Sequence, residues 1–221
     1  RCWVSRRRST QREAARAKKG EPARIVAKMN SLVDPQIIRA LYAASQAGVE
    51  IDLLIRGICC LRPGLPGVSD RIRVVSIVDR FLDHSRVYTF GVGDKTEVYL
   101  SSADWMPRNF HRRVEVLTPI LDEHMKEKLE DIRAVLFSDI SKTWWLGPDG
   151  TYERVAGSTD AATPNIRAQQ RFMELARERA KKSAPIVRQS SLHTLAAVQT
   201  EEERKARRAK ERQKKKQSRL M

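Results

Sequence analysis

The stretch from Arg24 to Arg56 restricts the fold of this chain more than any other. Arg24 to Lys28 (RIVAK) reads as a short buried strand, and Met29 to Leu32 as a loop. Asp34-Pro35 then opens a helix. The aspartate accepts from free N–H groups of the first turn, and proline suits the first helical position, where no hydrogen bond is lost. The helix from Pro35 to Ala47 puts Ile37, Ile38, Leu41 and Tyr42 on one face and stops at Gly48. Val49 to Arg56 (VEIDLLIR) is apolar enough for a strand buried on both faces. Strand, helix and strand so closely spaced make a βαβ unit, hence a parallel pair with a right-handed crossover. The expected class is therefore α/β. A ligand is expected outside the carboxyl ends of the strands, where Arg56-Gly57 follows and Gly57 lets backbones approach closely.

The rest of the chain fits around this unit. Leu61 to Ser69 (LRPGLPGVS) is a loop by its two Pro-Gly pairs, and Arg71 to Ile77 is a strand. Val78 to His84 is expected as a short helix or turn. Arg86 to Phe90 and Glu97 to Ser101 form a hairpin across the glycines of GVGDK. Val114 to Leu117 is a strand stopped by Pro119. Asp122 opens a helix through Phe137 with Met125, Leu129, Ile132 and Leu136 on one face. Thr143 to Gly150 is aromatic and then turns, and Asn165 to Lys182 is an amphipathic basic helix. At the front, Arg1 to Thr10 is expected to be poorly ordered and Gln11 to Lys19 to be a solvated helix. Ser183 to Thr200 reads as a linker. Glu201 to Arg219 reads as a solvated or disordered charged tail, or as an arm for polyanions; it lacks the aromatics that base stacking needs.

The 221 residues carry a formal charge of +16, which favours polyanionic partners without choosing among nucleic acid, polyphosphate, nucleotides and anionic lipid. The three cysteines are too few and too oddly placed for a disulfide framework or a zinc site, which suggests a reducing compartment. Cys59-Cys60 reads as a pair of small core residues. No apolar run is long enough to cross a bilayer, and the basic start lacks the apolar stretch of a secretory signal. A first residue of Arg rather than Met suggests a fragment or a processed product.

Chemistry is sought among four histidines, His84, His111, His124 and His193. Only His84 stands beside a strand end with other polar groups near it. Pattern alone favours a histidine satisfied inside the fold; its neighbours point the other way. His84-Ser85-Arg86, a strand–hairpin–strand and Ser101-Ser102-Ala103-Asp104 resemble the phospholipase D motif, H-x-K followed by a strand closing on G-S/T-x-N. In such a motif an imidazole attacks phosphorus or protonates the leaving oxygen, and a cation two residues on neutralises phosphate oxygens. Here Arg86 replaces lysine and Asp104 stands where asparagine is usual.

A longer resemblance, from about Glu13 to Met173, is carried by ARIVAKMNSLVDPQIIRALYAASQAGVEIDLLIRGICCLRPG, HSRVY and VYLSSADWMPRN. These segments are similar to the C-terminal part of the first class of bacterial polyphosphate kinase. That resemblance implies reversible transfer of the terminal phosphate of ATP to polyphosphate, through a phosphorylated histidine and with magnesium. It also implies a phospholipase D-like mixed sheet flanked by helices, here with a basic helical C-terminal tail. Residues 1–20 are then a basic, partly disordered N-terminal segment, 21–182 the domain, and 183–221 the tail. Arg56 resembles the family's nucleotide-phosphate-binding arginine. His84 resembles its second active-site histidine, which contacts ATP and acts as acid or base. Arg113 resembles an arginine lining the polyphosphate channel. Forked guanidinium donors and a histidine able to titrate near neutral pH suit these roles.

The family's phosphorylated histidine, its magnesium-binding arginines and its adenine-contacting tyrosine belong to an upstream domain that no segment here matches. There is also no Walker A loop, because GVGDK is too short. The resemblance therefore implies an incomplete site in this chain alone, with metal ligands elsewhere, a homo-oligomeric full-length enzyme and a location in the cytoplasm or at the inner membrane periphery. The rival reading is a non-catalytic binder of polyphosphate or nucleic acid. A phosphodiesterase using His84-Ser85-Arg86 is a third, weakened by its normal need for two such half-sites.

Overall fold

The computed structural model describes residues 2–155 and 165–182. The expected linker and charged tail, 183–221, lie outside them. The chain divides into two compact units, Arg1–Ala176 and Arg177–Met221, and the fold below is that of the first.

The βαβ unit is present. β1 (Arg24–Met29) and β2 (Glu50–Ile55) pair in parallel, joined by α2 (Pro35–Gln46). Asp34 caps α2, its carboxylate accepting from the N–H groups of Gln36 and Ile37 at 3.0 Å each. Gly48 leaves the helix at φ 101°, a conformation that favours glycine. β3 (Ile72–Ile77) adds in parallel beside β2. On the other side of β1 the sheet turns antiparallel through β4 (Val87–Phe90), β5 (Glu97–Ser101) and β6 (Leu117–Ile120). Beyond β3 lie β7 (Thr143–Leu146) and β8 (Tyr152–Arg154), also antiparallel. The result is one mixed eight-stranded sheet in the order β6-β5-β4-β1-β2-β3-β7-β8.

Side chains alternate across this sheet and define two cores. Ile25, Ala27 and Met29 of β1, with Ile51, Leu53 and Ile55 of β2, face Ile37, Leu41 and Ala44 of α2 in the larger core. On the other face, Leu54 and Val75 pack with Leu136 of α4 (Glu123–Phe137) and with Ala168 and Phe172 of α5 (Ala168–Lys182). Helices thus cover both faces. Trp105, which precedes α3 (Pro107–His111), is fully buried and stacks on Tyr88 at 5.0 Å. Its backbone closes the sheet edge, donating to the Ser31 carbonyl and accepting from Val33 and Asp34.

Several expectations are corrected. Instead of a solvated helix over Gln11 to Lys19, α1 runs Cys2–Lys18 and joins the core. Thr10 and Glu13 are buried, and Ala14 and Ala17 pack against the large cluster. These four residues are spaced as one helix face, but small and polar residues do not announce an apolar stripe. Residues 78–84 form neither helix nor regular turn. β6 lies three residues later than expected and includes Pro119, which an edge strand tolerates because one row of its N–H groups needs no partner. On α4, Leu136 is buried but Met125 is 45% and Ile132 40% exposed. Cys59 is half-buried, its thiol pushed up to about 11 by burial, whereas Cys60 is exposed and is no core residue.

Two measurements test this packing. Trp105→Ala is expected to cost about 3–5 kcal/mol in urea unfolding, as loss of a buried aromatic usually does. α1 is tied to β5 by Arg12, which donates to both Glu97 oxygens at 2.7 and 2.9 Å. Burial pushes the Glu97 carboxyl up, but hydrogen bonds from Arg12 and Tyr99 and the Arg12 charge outweigh it and hold it below its ordinary 4.5. A lowered carboxyl stabilises above its unfolded value and loses that stabilisation as pH falls through the folded one. Both partners are over one third exposed, so Glu97→Gln is expected to cost at most about 1 kcal/mol at neutral pH. The gap in melting temperature to the parent should close as the pH drops below 4.5.

Candidate active site

The topology brings five chain segments to one edge of the sheet. β1 and β2 end there, β4 starts there, β5 ends there and β6 starts there, because the sheet changes from parallel to antiparallel at β1. Such a switch opens a crevice at the carboxyl ends of the parallel strands. Gly57 sits in it with its backbone so close to Asn30 that a Cβ would lie 3.1 Å from the Asn30 carbonyl oxygen.

A continuous hydrogen-bond chain runs along this edge. Arg56 Nε donates to Asn30 Oδ1 at 3.0 Å. Asn30 donates from its backbone N–H and its amide to Asp104 Oδ1 at 2.8 and 3.2 Å. Asp104 also accepts from Arg86 Nε and Nη2 at 2.9 and 3.1 Å. Arg86 Nη2 lies 3.1 Å from His84 Nε2, and Nη1 donates to the His84 carbonyl at 3.2 Å. A guanidinium has no acceptor, so Nε2 accepts in this arrangement and the neutral ring carries its proton on Nδ1.

The charges are set by this burial. For Asp104, burial pushes the carboxyl up, but the bonds from Arg86 and Asn30 and the Arg86 charge prevail and hold it below its usual range. Lys28 is a nearly covered cation of β1, bonded to Asp83 Oδ1 at 2.9 Å and to the Ser85 carbonyl at 3.1 Å. Burial lowers the Lys28 ammonium against the pull of Asp83, and repulsion from Arg56 and Arg86 adds to that lowering. Asp83 in turn is raised by burial and lowered by Ser85 and Lys28, with a net shift downward.

Of the residues expected from the sequence, Arg56 and His84 line one cleft of about 380 Å³ together with Lys28, Leu54, Phe81 and Phe172. His84 is exposed on the cleft wall rather than satisfied in a core. Arg113 lies further along the same edge and is exposed. Its charge and that of Arg86 help hold Glu115 low, after the opposing effect of burial and the bonds from Ser102 and Asn109. GVGDK lies at the opposite edge, and Lys95 pairs there with Glu21 at 3.2 Å. His124 is on exposed α4, and His193 lies outside the described residues. Three site residues escape a sequence reading: Lys28, Asn30 and the acceptor role of Asp104. Lys28 did leave a signal, as the one cation within the apolar run IVAKM. Asp104 is the acceptor that Asn30 and Arg86, both donors here, require.

Known proteins resemble this chain in sequence and in fold. The sequence model of the family "Polyphosphate kinase C-terminal domain 2" matches residues 7–169, so the match begins before the Glu13 expected above. The polyphosphate kinase of Thermosynechococcus vestitus is 57% identical over 143 residues, covering 65% of this chain and 20% of the relative. That of Pseudomonas aeruginosa is 50% identical over 157 residues, covering 71% of this chain and 23% of the relative. The crystal structure of polyphosphate kinase from Porphyromonas gingivalis superposes with a TM-score of 0.75 at 36% identity, covering 81% of this chain and 27% of that one. The chain spans about a fifth of the length of the curated relatives it matches. By these matches in sequence and fold, the chain belongs to the polyphosphate kinase family and corresponds to that family's C-terminal domain.

Proposed function

We propose that this chain supplies the His84 half of a site that transfers the terminal phosphate of ATP to inorganic polyphosphate, reversibly. The observation that carries this reading is the chain of hydrogen bonds from Arg56 to His84, whose two ends line one cleft. Arg56 holds nucleotide phosphate oxygens with its free guanidinium edge. Arg113 receives the polyphosphate chain further along the sheet edge. His84 contacts the transferred phosphate: its Nε2 lone pair, once released from the Arg86 N–H, takes the proton of a phosphate O–H and returns it in the reverse direction. Rigid strand ends and a nearly covered Lys28 keep these groups from relaxing around an absent ligand, which is what electrostatic stabilisation of a phosphoryl group requires.

Magnesium, implied by the family, does not fit the residues around His84. Asp83 and Asp104 are committed to Lys28 and Arg86, and among the described residues no cluster of three acidic, cysteine or histidine side chains could hold a metal ion. No step here runs through the metal. The phosphorylated histidine of the family belongs to a stretch that none of these residues matches. A preparation of these 221 residues alone is therefore expected to bind substrate without turning it over.

A second reading, polyanion binding without catalysis, is favoured by the net charge of +16. In it the basic chain holds polyphosphate or nucleic acid, and His84 has no part. Calorimetric titration with inorganic tripolyphosphate separates the two. Under the first reading, Arg56→Ala and Arg113→Ala each weaken binding about 10-fold, as loss of one charge-assisted contact does. Affinity also falls steeply with added salt. Equal affinity in both variants would leave the diffuse-charge reading. A radiolabelled-ATP assay of the 221-residue chain with magnesium and polyphosphate should give no product above background. Robust synthesis would overturn the half-site proposal.

A further inference from the structure

The segment that carries His84 is held unusually. Among the described residues, 78–85 exchange no backbone–backbone hydrogen bonds, so neither helix nor sheet fixes them. Side chains do it instead. Near His84 the ties come from the sheet: Lys28 of β1 grips Asp83 and the Ser85 carbonyl, on either side of the histidine. Arg86 holds the His84 carbonyl itself. Asp83 adds a local loop, accepting from the Ser85 N–H at 3.1 Å and its hydroxyl at 2.7 Å.

The upstream half of the segment is held from elsewhere. Gln169 Oε1 accepts from the Phe81 N–H and Gln169 Nε2 donates to the Phe81 carbonyl, both at 2.8 Å. A side-chain amide here takes the place of a neighbouring strand. Two residues before Gln169, Arg167 donates to Asp79 at 2.6 and 2.9 Å, and the Asp79 carboxylate is only 2% exposed. The start of α5 is itself anchored. Asp139 Oδ2 accepts from the Ala168 N–H at 2.8 Å, the Ile140 N–H donates to the Ile166 carbonyl at 3.2 Å, and Ala168 is fully buried.

We infer that Arg167 and Gln169, at the start of α5, are positioning residues that latch the His84 segment to the body of the domain. The argument rests on the reading of His84 given above. A loop with no ladder of its own samples many conformations unless its ends and middle are tied. Lys28 ties one end, and α5 supplies the second attachment, so His84 and the Phe81 wall of the cleft are presented in one arrangement. Residues at the very end of the family match thus belong to the site.

The test uses the 221-residue chain with ring-labelled histidine, followed by NMR, the His84 signal being assigned with His84→Gln. Gln169→Ala is expected to move the His84 signal toward the value of a mobile histidine. It should also weaken inorganic tripolyphosphate binding about 10-fold, since only the latched fraction binds. Gln169→Glu keeps the acceptor for the Phe81 N–H but loses the donor, and should fall between parent and alanine. His111 and His124 keep their signals and the melting temperature stays near the parent's, which separates a latch from general loss of structure. Arg167→Gln gives a second, independent break and should move His84 in the same direction. An unchanged His84 signal in both Gln169→Ala and Arg167→Gln overturns the latch. If the parent chain binds no tripolyphosphate, the reading of His84 as a phosphate-site residue fails, and the latch is decided by the ligand-free His84 signal alone.

Discussion

The carboxylate of Asp104 is the interaction on which the site edge depends. It is almost fully buried and receives four N–H groups, two from Asn30 and two from Arg86. Asn30 follows β1 and Arg86 precedes β4, so a single side chain joins the parallel and antiparallel halves of the sheet where they meet. A buried carboxylate without those donors would be costly, and the donors without the carboxylate would be orphaned. Each group therefore requires the others, and the chain from Arg56 to His84 is held in one register.

The same logic explains why an Asp stands at position 104. Arg86 has only donors, and Asn30 turns two donors toward the same point; an acceptor-only group with full negative charge satisfies all of them. Lys28 repeats the device one layer below. Its ammonium sits among Arg56, Arg86 and Asp83, and its bonds end on the two residues that flank His84. The histidine is thereby fixed by its neighbours, which leaves the ring exposed to the cleft.

What could be read from the sequence divides along the range of the interactions involved. β1, α2 and β2 were legible because Asp34-Pro35 and Gly48 act within a few residues of themselves. The hairpin of β4 and β5 was legible for the same reason. Arg56 and His84 stand out in the sequence through the resemblance, and the fold sets both on one cleft. The hidden parts are long-range. Asn30 and Asp104 are 74 residues apart, and Gln169 and Phe81 are 88 apart. No local pattern shows that such pairs meet. α1 was misread because its inner stripe is Thr10, Glu13, Ala14 and Ala17, small or polar residues that pack closely without looking hydrophobic. Residues 78–84 were misread because the ties that shape them come from β1 and α5.

Charge balance distinguishes the two edges of the sheet better than size does. The larger hollow, about 880 Å³, lies at the opposite edge, beside Arg24, Glu50, Asp52 and Arg71. There the lining has no excess of cations: Arg24, Arg71 and Arg73 stand among Glu21, Glu50, Asp52 and Asp70, with Asp52 taking both Arg24 and Arg73 and Glu50 taking Arg71. At the His84 edge Lys28 pairs with Asp83 and Arg86 with Asp104, Arg56 bonds the neutral Asn30 and has no carboxylate of its own among the described residues, and Arg113 beyond them faces Glu115. A buried cation in excess of its counter-charges is disfavoured unless something negative completes the set. The Lys28 ammonium is pushed down first by burial, and repulsion from Arg56 and Arg86 adds to it. A phosphate chain laid across this edge would supply the missing negative charge, and forked guanidinium donors would bind its oxygens in pairs. The smaller cleft is thus the one that suits the proposed phosphate chain.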